Sequence, residues 1–314
     1  METKNEEHPL KIRSAKGVIA AGYRLYMNNF RRIFRTTWLP ALVCALVSAL
    51  YYHTMISATT KLVGAIDQMA KGQYGEGMMQ YVMQSGVSLL NLIVSLVFIS
   101  YAFYMLSRHR SEGAIPYPAR WLSKPDGRSL VRTVASAILW IVVVTIALVI
   151  PSAIIAFGAV RQSITTMALG LLVLLVLIAL LLPLVYPNMR YLCTRDTKLF
   201  NLLGPGYRQG FRYWGYIFAV LLVVFLITCV ILAVTMLPAM VLLIANMRAQ
   251  AGVMTGDPLG MPSYMGWLSL IVFTLSGFIQ AYVVLSMQFP VYYMAGSIEQ
   301  QEIQRNEKAE NTIH

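Results

Sequence analysis

Six stretches of this chain, residues 37–56, 86–107, 133–157, 163–188, 213–247 and 262–298, contain no Lys, Arg, Asp or Glu. Each meets the ~20 apolar residues that a helix needs to cross a bilayer. A charge at the bilayer centre costs roughly 2.5–3.5 kcal/mol, so long stretches without charge are what a membrane selects for. Over the whole chain only 12% of residues are charged, against about 25% in a soluble domain. The pattern predicts an all-α integral membrane protein with six transmembrane helices. The fifth stretch is too long for one span: its 35 residues would extend ~52 Å as a helix. Its span is placed at 213–236, with Pro238 bending the chain and 242–247 packing at the outer rim. The sixth span is placed at 266–294.

The positive charges sort into every second gap. The segment before span one carries eight Lys and Arg, the loop 108–132 carries six, the loop after span four five and the tail two. The opposite loops carry only Lys61, Lys71, Arg161 and Arg248. By the positive-inside rule both termini are expected in the cytoplasm. No cleavable signal peptide is expected, because the first apolar stretch starts beyond residue 35 and is long enough to stay as a span. Cys44 and Cys229 lie in spans and Cys193 on the cytoplasmic side, so no structural disulfide is expected. The net charge of +12 is assigned to anionic lipid headgroups rather than nucleic acid, for which no binding fold has room.

The segments leading into the odd-numbered spans resemble one another. AGYRLYMNNFRRIF (21–34) precedes span one and PGYRQGFRYWGYIF (205–218) precedes span five, while DGRSLVRTVASAI (126–138) before span three is a weaker version. The hairpin ends match as well, in SYAFYMLSR from Ser100, VYPNMRYLC from Val185 and QFPVYYMAG from Gln288. Three helical hairpins with cytoplasmic amphipathic lead-in helices are the simplest reading. The expected organisation is a cytoplasmic N-terminus with an interfacial helix (1–36), a six-helix domain (37–298) and a disordered cytoplasmic tail (299–314).

In the first lead-in, Arg24, Arg31 and Arg35 recur at helical spacing beside Arg32, with Tyr23, Tyr26, Met27, Phe30 and Phe34 on the other side. Such a helix suits the interface plane, with its rings at the acyl boundary. Arg208 and Arg212 repeat the theme against Tyr207 and Phe211. These six arginines are the candidate contacts for anionic headgroups or a protein partner. The alternative role is a snorkelling anchor that sets the depth of the next span. A second copy of the chain remains open as a partner.

Ionisable groups inside spans mark catalysis or ion coupling, and here His53 near the outer end of span one is the sole candidate. The four histidines never approach metal-ligand spacing, and neither H-E-x-x-H, G-x-S-x-G nor a P-loop occurs. The glycine-rich stretch 72–77 follows no strand and reads as a linker. No metal, cofactor or catalytic centre is therefore expected. An enzyme would have to use interfacial residues such as His109, Asp126, Arg128 or Asp196. Neutral polar residues remain inside the spans: Asn91 and Ser95 with Ser88 on one face of span two, and Ser276 and Gln280 on one face of span six. They are candidates for interhelical hydrogen bonds or for the lining of a polar path. Ala41, Ala45 and Ala49 form a small-residue ladder for close helix packing. Of the prolines in or near spans, Pro183 is the deepest and the best candidate for a functional break.

The Asn-Phe-Arg-Arg-Ile-Phe stretch at 29–34 and the hairpin plan resemble bacterial six-span membrane domains, among them the membrane domain attached to some glycerophosphodiester phosphodiesterases. The catalytic activity of those proteins belongs to a separate soluble barrel, for which this chain has no counterpart. The resemblance implies membrane-embedded packing and an association with lipid, and it carries over no catalytic residue. The expected location is the cytoplasmic membrane of a bacterium. The function expected is that of a lipid-associated or partner-binding accessory protein. The alternative is a transporter or flippase for an uncharged or amphipathic solute.

Overall fold

The computed structural model describes residues 9–70, 76–116, 126–194, 197–198, 203–254, 262 and 264–313. No strand occurs among them. The helices are α1 (Ala15–Asn28), α2 (Phe30–Ala70), α3 (Glu76–Glu112), α4 (Gly127–Val160), α5 (Ile164–Leu181), α6 (Val185–Cys193), α7 (Pro205–Arg212), α8 (Trp214–Thr235), α9 (Leu237–Met254) and α10 (Tyr264–Ile313), with a 3-10 turn at Leu182–Leu184 between α5 and α6. Six stretches are long and apolar enough to cross a membrane: Phe30–Met55, Val82–Glu112, Gly127–Val160, Ile164–Cys193, Trp214–Thr235 and Tyr264–Asn311. The protein is an all-α integral membrane protein.

Two compact units divide the chain. The first comprises Met1–Arg32, Ser100–Phe225 and Gln288–His314. In it the Ser14 hydroxyl caps α1 by accepting from the Gly17 N–H at 3.2 Å. Asn29 closes the same helix, both its backbone and side-chain N–H donating to Leu25 O. The buried face of α1 is Val18, Gly22, Leu25 and Tyr26. Gly22 lies so close to α10 that a Cβ there would fall 2.4 Å from the Pro290 nitrogen. Tyr26 meets Phe289 edge to face at 5.2 Å. The ring face expected at the acyl boundary is therefore split. Tyr26 joins the core, whereas Met27 and Phe30 stay 69% and 39% exposed.

The α4–α5 hairpin turns at Gln162, whose φ of 53° is left-handed. The Ser163 hydroxyl then caps α5 by accepting from the Thr166 N–H. Glycines let the two helices touch: a Cβ on Gly158 would meet the Met167 nitrogen at 2.9 Å, and one on Gly170 would meet Ile155 Cγ1 at 2.6 Å. The rest of the hairpin surface is apolar and exposed, with only 6% and 17% of the two span windows buried. A bilayer solvates such a surface.

The second unit comprises Ile33–Ile99 and Leu226–Met287. Ala41, Ala45 and Ala49 are all fully buried, and Gly277 of α10 sits against Ala45, where a Cβ would lie 3.4 Å from its Cα. The ladder thus works as close backbone packing. Ala49 and Phe273 form a small core against Tyr52, Ala239, Leu242, Leu243 and Leu270. The Asn246 amide of α9 donates to Ser269 Oγ on α10 at 2.9 Å.

Several expectations change. The expected loop 57–85 is shorter, since α2 continues to Ala70 and α3 begins at Glu76; residues 72–75 of its glycine-rich stretch lie outside the described residues, as do Pro118 and Pro125 of the loop after α3. No separate lead-in helix precedes span three, because α4 starts directly at Gly127. The tail expected to be disordered from Glu299 instead continues α10 to Ile313. Its Glu, Gln, Lys and Ala are good helix formers, and Glu299 and Glu302 are held by arginines of the first unit.

Candidate functional site

Within the second unit, neutral polar residues of α2, α3 and α10 converge on one cavity of about 150 Å³. Asn91, Ser95 and Gln280 line it, together with Cys44, Ser48 and Gly277. The sequence placed Asn91 and Ser95 on one face of span two and Gln280 on a face of span six, and the fold brings these faces together. Ser48 Oγ donates to Asn91 Oδ1 at 2.9 Å, and Cys44 Sγ lies 3.7 Å from Ser95 Oγ. Span one therefore supplies the partners, a contribution the sequence reading missed although Cys44 and Ser48 stand four residues apart, on one helix face. Among the described residues the Gln280 amide makes no hydrogen bond to the protein. Ser276 is buried one turn earlier and does not line the cavity. Neutral donors and acceptors in such a space suit water or an uncharged polar group.

The first unit contains a charged cluster that sequence reasoning did not find. Arg110 grips Glu299 with both carboxylate oxygens, at 2.8 and 2.7 Å. Arg190 Nε approaches the same carboxylate at 3.7 Å. One turn on, Glu302 accepts from Arg212 Nη1 at 2.9 Å and from the Tyr213 hydroxyl at 2.9 Å. Burial, followed by the Glu302 carboxylate, pushes the Tyr213 phenol above its ordinary value. Beside the cluster, His109 is 2% exposed and its Nδ1 lies 3.1 Å from the Tyr292 hydroxyl. The paired residues stand far apart in sequence, 189 positions for Arg110 and Glu299, so no local pattern announces them.

Of the six arginines proposed as surface contacts, Arg24, Arg31, Arg32, Arg35 and Arg208 are exposed. Arg212 is 40% exposed and is held by Glu302, which makes it a structural clamp as well. Arg132 takes a different role from a lead-in charge: its guanidinium donates to Tyr191 O at 2.7 Å, to Thr194 O and to Thr197 O, closing the C-terminus of α6. His53 is exposed. Among the described residues no group of three or more His, Cys, Asp or Glu is placed to hold a metal ion.

The break at Pro183 is filled. Proline has no N–H, so Ala179 O loses its helical donor, and the Trp214 indole N–H supplies one at 2.8 Å. In the 3-10 turn the amides shift to nearer acceptors, as Val185 N–H does to Leu182 O, and Leu180 O accepts instead from the Tyr207 hydroxyl at 3.0 Å. Pro187 likewise withholds a donor from Pro183 O, and Gly210 of α7 packs onto that oxygen, where a Cβ would come within 2.3 Å.

The fold and these two sites define an α-helical integral membrane protein with a neutral polar cavity within its spans and a charged cluster outside that cavity. No family model, curated protein or solved structure matches the chain.

Proposed function

We propose that this is a non-catalytic membrane protein that gathers anionic lipid through its basic lead-in segments and serves as a lipid-associated accessory or scaffold. The observation that carries the reading is the exposed strip of Arg24, Met27, Phe30, Arg31 and Arg32, in which cationic and apolar side chains emerge together. Charge and apolar side chains combined are what an interfacial lipid contact requires. On this reading the basic side faces the cytoplasm, both termini included, in accord with the asymmetry of Lys and Arg. The likeness of residues 29–34 to the membrane domains attached to some glycerophosphodiester phosphodiesterases points the same way, toward lipid.

Each Lys or Arg beside an anionic surface contributes about 1 kcal/mol. Replacing Arg24, Arg31, Arg32 and Arg35 together by Gln is therefore expected to remove most of the enrichment of phosphatidylglycerol over phosphatidylcholine that co-purifies with the full chain. Unchanged enrichment defeats the reading. A protein that co-purifies stoichiometrically, and is lost with the same substitutions, would place the scaffold role in partner binding.

The unpartnered Gln280 amide favours a second reading, a path for an uncharged or amphipathic solute through the cavity. Its test is scrambling of a fluorescent phosphatidylcholine in liposomes. Scrambling that the protein induces and that survives Asn91→Leu with Gln280→Leu would rule this site out.

A further inference from the structure

A second cavity, of about 130 Å³, lies in the first unit between α6 and α7. Tyr186, Arg190, Thr197 and Lys198 line it, together with Pro205 and Gly206 of the first turn of α7. Three features there ask for the same kind of ligand. Tyr186 is 1% exposed, and its hydroxyl has no hydrogen-bond partner among the described residues. A buried polar group left so is destabilising, and a ligand oxygen would relieve it. Arg190 Nε is also buried without an acceptor in hydrogen-bond geometry, although its guanidinium lies beside the Tyr186 hydroxyl one turn back in α6. Its neighbour Glu299, 3.7 Å away, already has both oxygens held by Arg110. Two cations therefore face one carboxylate, and Lys198 adds a third positive charge at the cavity. Finally, α7 opens on Gly204, whose lack of a side chain leaves the helix uncapped, and the first helical bond is Arg208 N–H to Gly204 O. The amides of Gly206 and Tyr207 stand outside the helical ladder, at the positive end of the helix dipole. The flanking Arg195 and Asp196, of opposite charge, lie outside the described residues.

We infer that this cavity is a binding site for one phosphate group, presented by an anionic phospholipid or by a free phosphate. Helix N-termini accept such anions through backbone N–H groups. Arginine forms charge-assisted bonds to phosphate oxygens, and Tyr186 supplies a neutral donor from the buried side. The site uses none of Arg24, Arg31, Arg32 and Arg35, so it stands or falls separately from the lead-in contact.

The test is native mass spectrometry of the full chain in a neutral detergent, with phosphatidic acid and phosphatidylcholine as probes and inorganic phosphate as competitor. One phosphatidic acid is expected to be retained in preference to phosphatidylcholine. Arg190→Gln with Lys198→Gln should weaken it about tenfold, which corresponds to ~1.4 kcal/mol. Tyr186→Phe should weaken it a few-fold, and the fourfold lead-in variant should leave it unchanged. Displacement by inorganic phosphate would identify a site for the free anion; retention against it would identify a headgroup held also by its acyl chains. Lys198 is exposed, so Lys198→Gln alone tests the site without threatening the fold. Equal retention by Lys198→Gln, Tyr186→Phe and the unsubstituted protein, or retention of neither lipid together with no inorganic phosphate adduct, overturns the assignment.

Discussion

The Trp214 indole is expected to stabilise the fold only because Pro183 is a proline. In an unbroken helix Ala179 O would accept from residue 183, but Pro183 has no N–H, and the Trp214 Nε1–H at 2.8 Å takes its place. Trp214→Phe removes the donor and keeps a ring to stack on Phe218, whose centroid lies 5.3 Å away. Interhelical hydrogen bonds in membranes average about 0.6 kcal/mol and reach about 1.7. This one should fall at the upper end, about 1–2 kcal/mol, because the acceptor has no alternative backbone donor. Pro183→Ala restores a backbone N–H to Ala179 O, so Trp214→Phe should then cost close to nothing. The double-mutant cycle is expected to show a coupling of about 1 kcal/mol. Reversible unfolding of the purified chain by SDS in mixed micelles, followed by far-UV circular dichroism, measures all four corners. Equal losses from Trp214→Phe with and without Pro183 would refute the argument.

Other outcomes follow from the same geometry. Gly210→Ala places a methyl 2.3 Å from Pro183 O and should cost about 3 kcal/mol or more, whereas Gly215→Ala, with nothing within 4 Å, should be nearly neutral in the same unfolding assay. Glu299→Gln leaves Arg110, only 15% exposed, without its counter-charge; the expected cost is about 2 kcal/mol, below the ~3–5 of a fully buried pair. Combined with Glu302→Gln, it should speed hydrogen exchange across 299–313 and leave α1 protected. The Tyr213 phenol is raised in the folded state from 10.0, so the stability it contributes is complete below about pH 10 and is lost as pH rises through the raised value. Tyr213→Phe should flatten that alkaline limb of stability against pH.

The spans were legible because the cost of burying charge is local and leaves a continuous mark. The expected 163–188 became Ile164–Cys193, and 213–236 became Trp214–Thr235. The sites were legible only where periodicity carries them. Asn91 and Ser95 share a helix face, and that face meets Gln280 at a cavity; Cys44 and Ser48, their partners, also share a face four residues apart, but the sequence reading did not take up that spacing. The charged tail misled for a physical reason. Glu299 and Glu302 look solvent-bound in sequence, and nothing nearby in the chain shows that Arg110, Arg190 and Arg212 will neutralise them. With those charges paired, a run of good helix formers has no cause to leave the helix.

The prolines mark the limit of reading a break as a site. Discontinuous membrane helices bind solutes when the carbonyls they free face a cavity. Pro183 and Pro187 free Ala179 O and Pro183 O, yet the Trp214 indole takes the first and the Gly210 backbone covers the second, with Tyr207 holding Leu180 O between them. Neither of the two freed oxygens is left open to a cation. The break works instead as a socket that fixes α7 against the α5–α6 bend. In that position the first turn of α7 is delivered to Tyr186, Arg190 and Lys198. What the broken helix offers a ligand is then the reverse of carbonyl coordination: a neighbouring helix N-terminus and cationic side chains, a set that selects an anion.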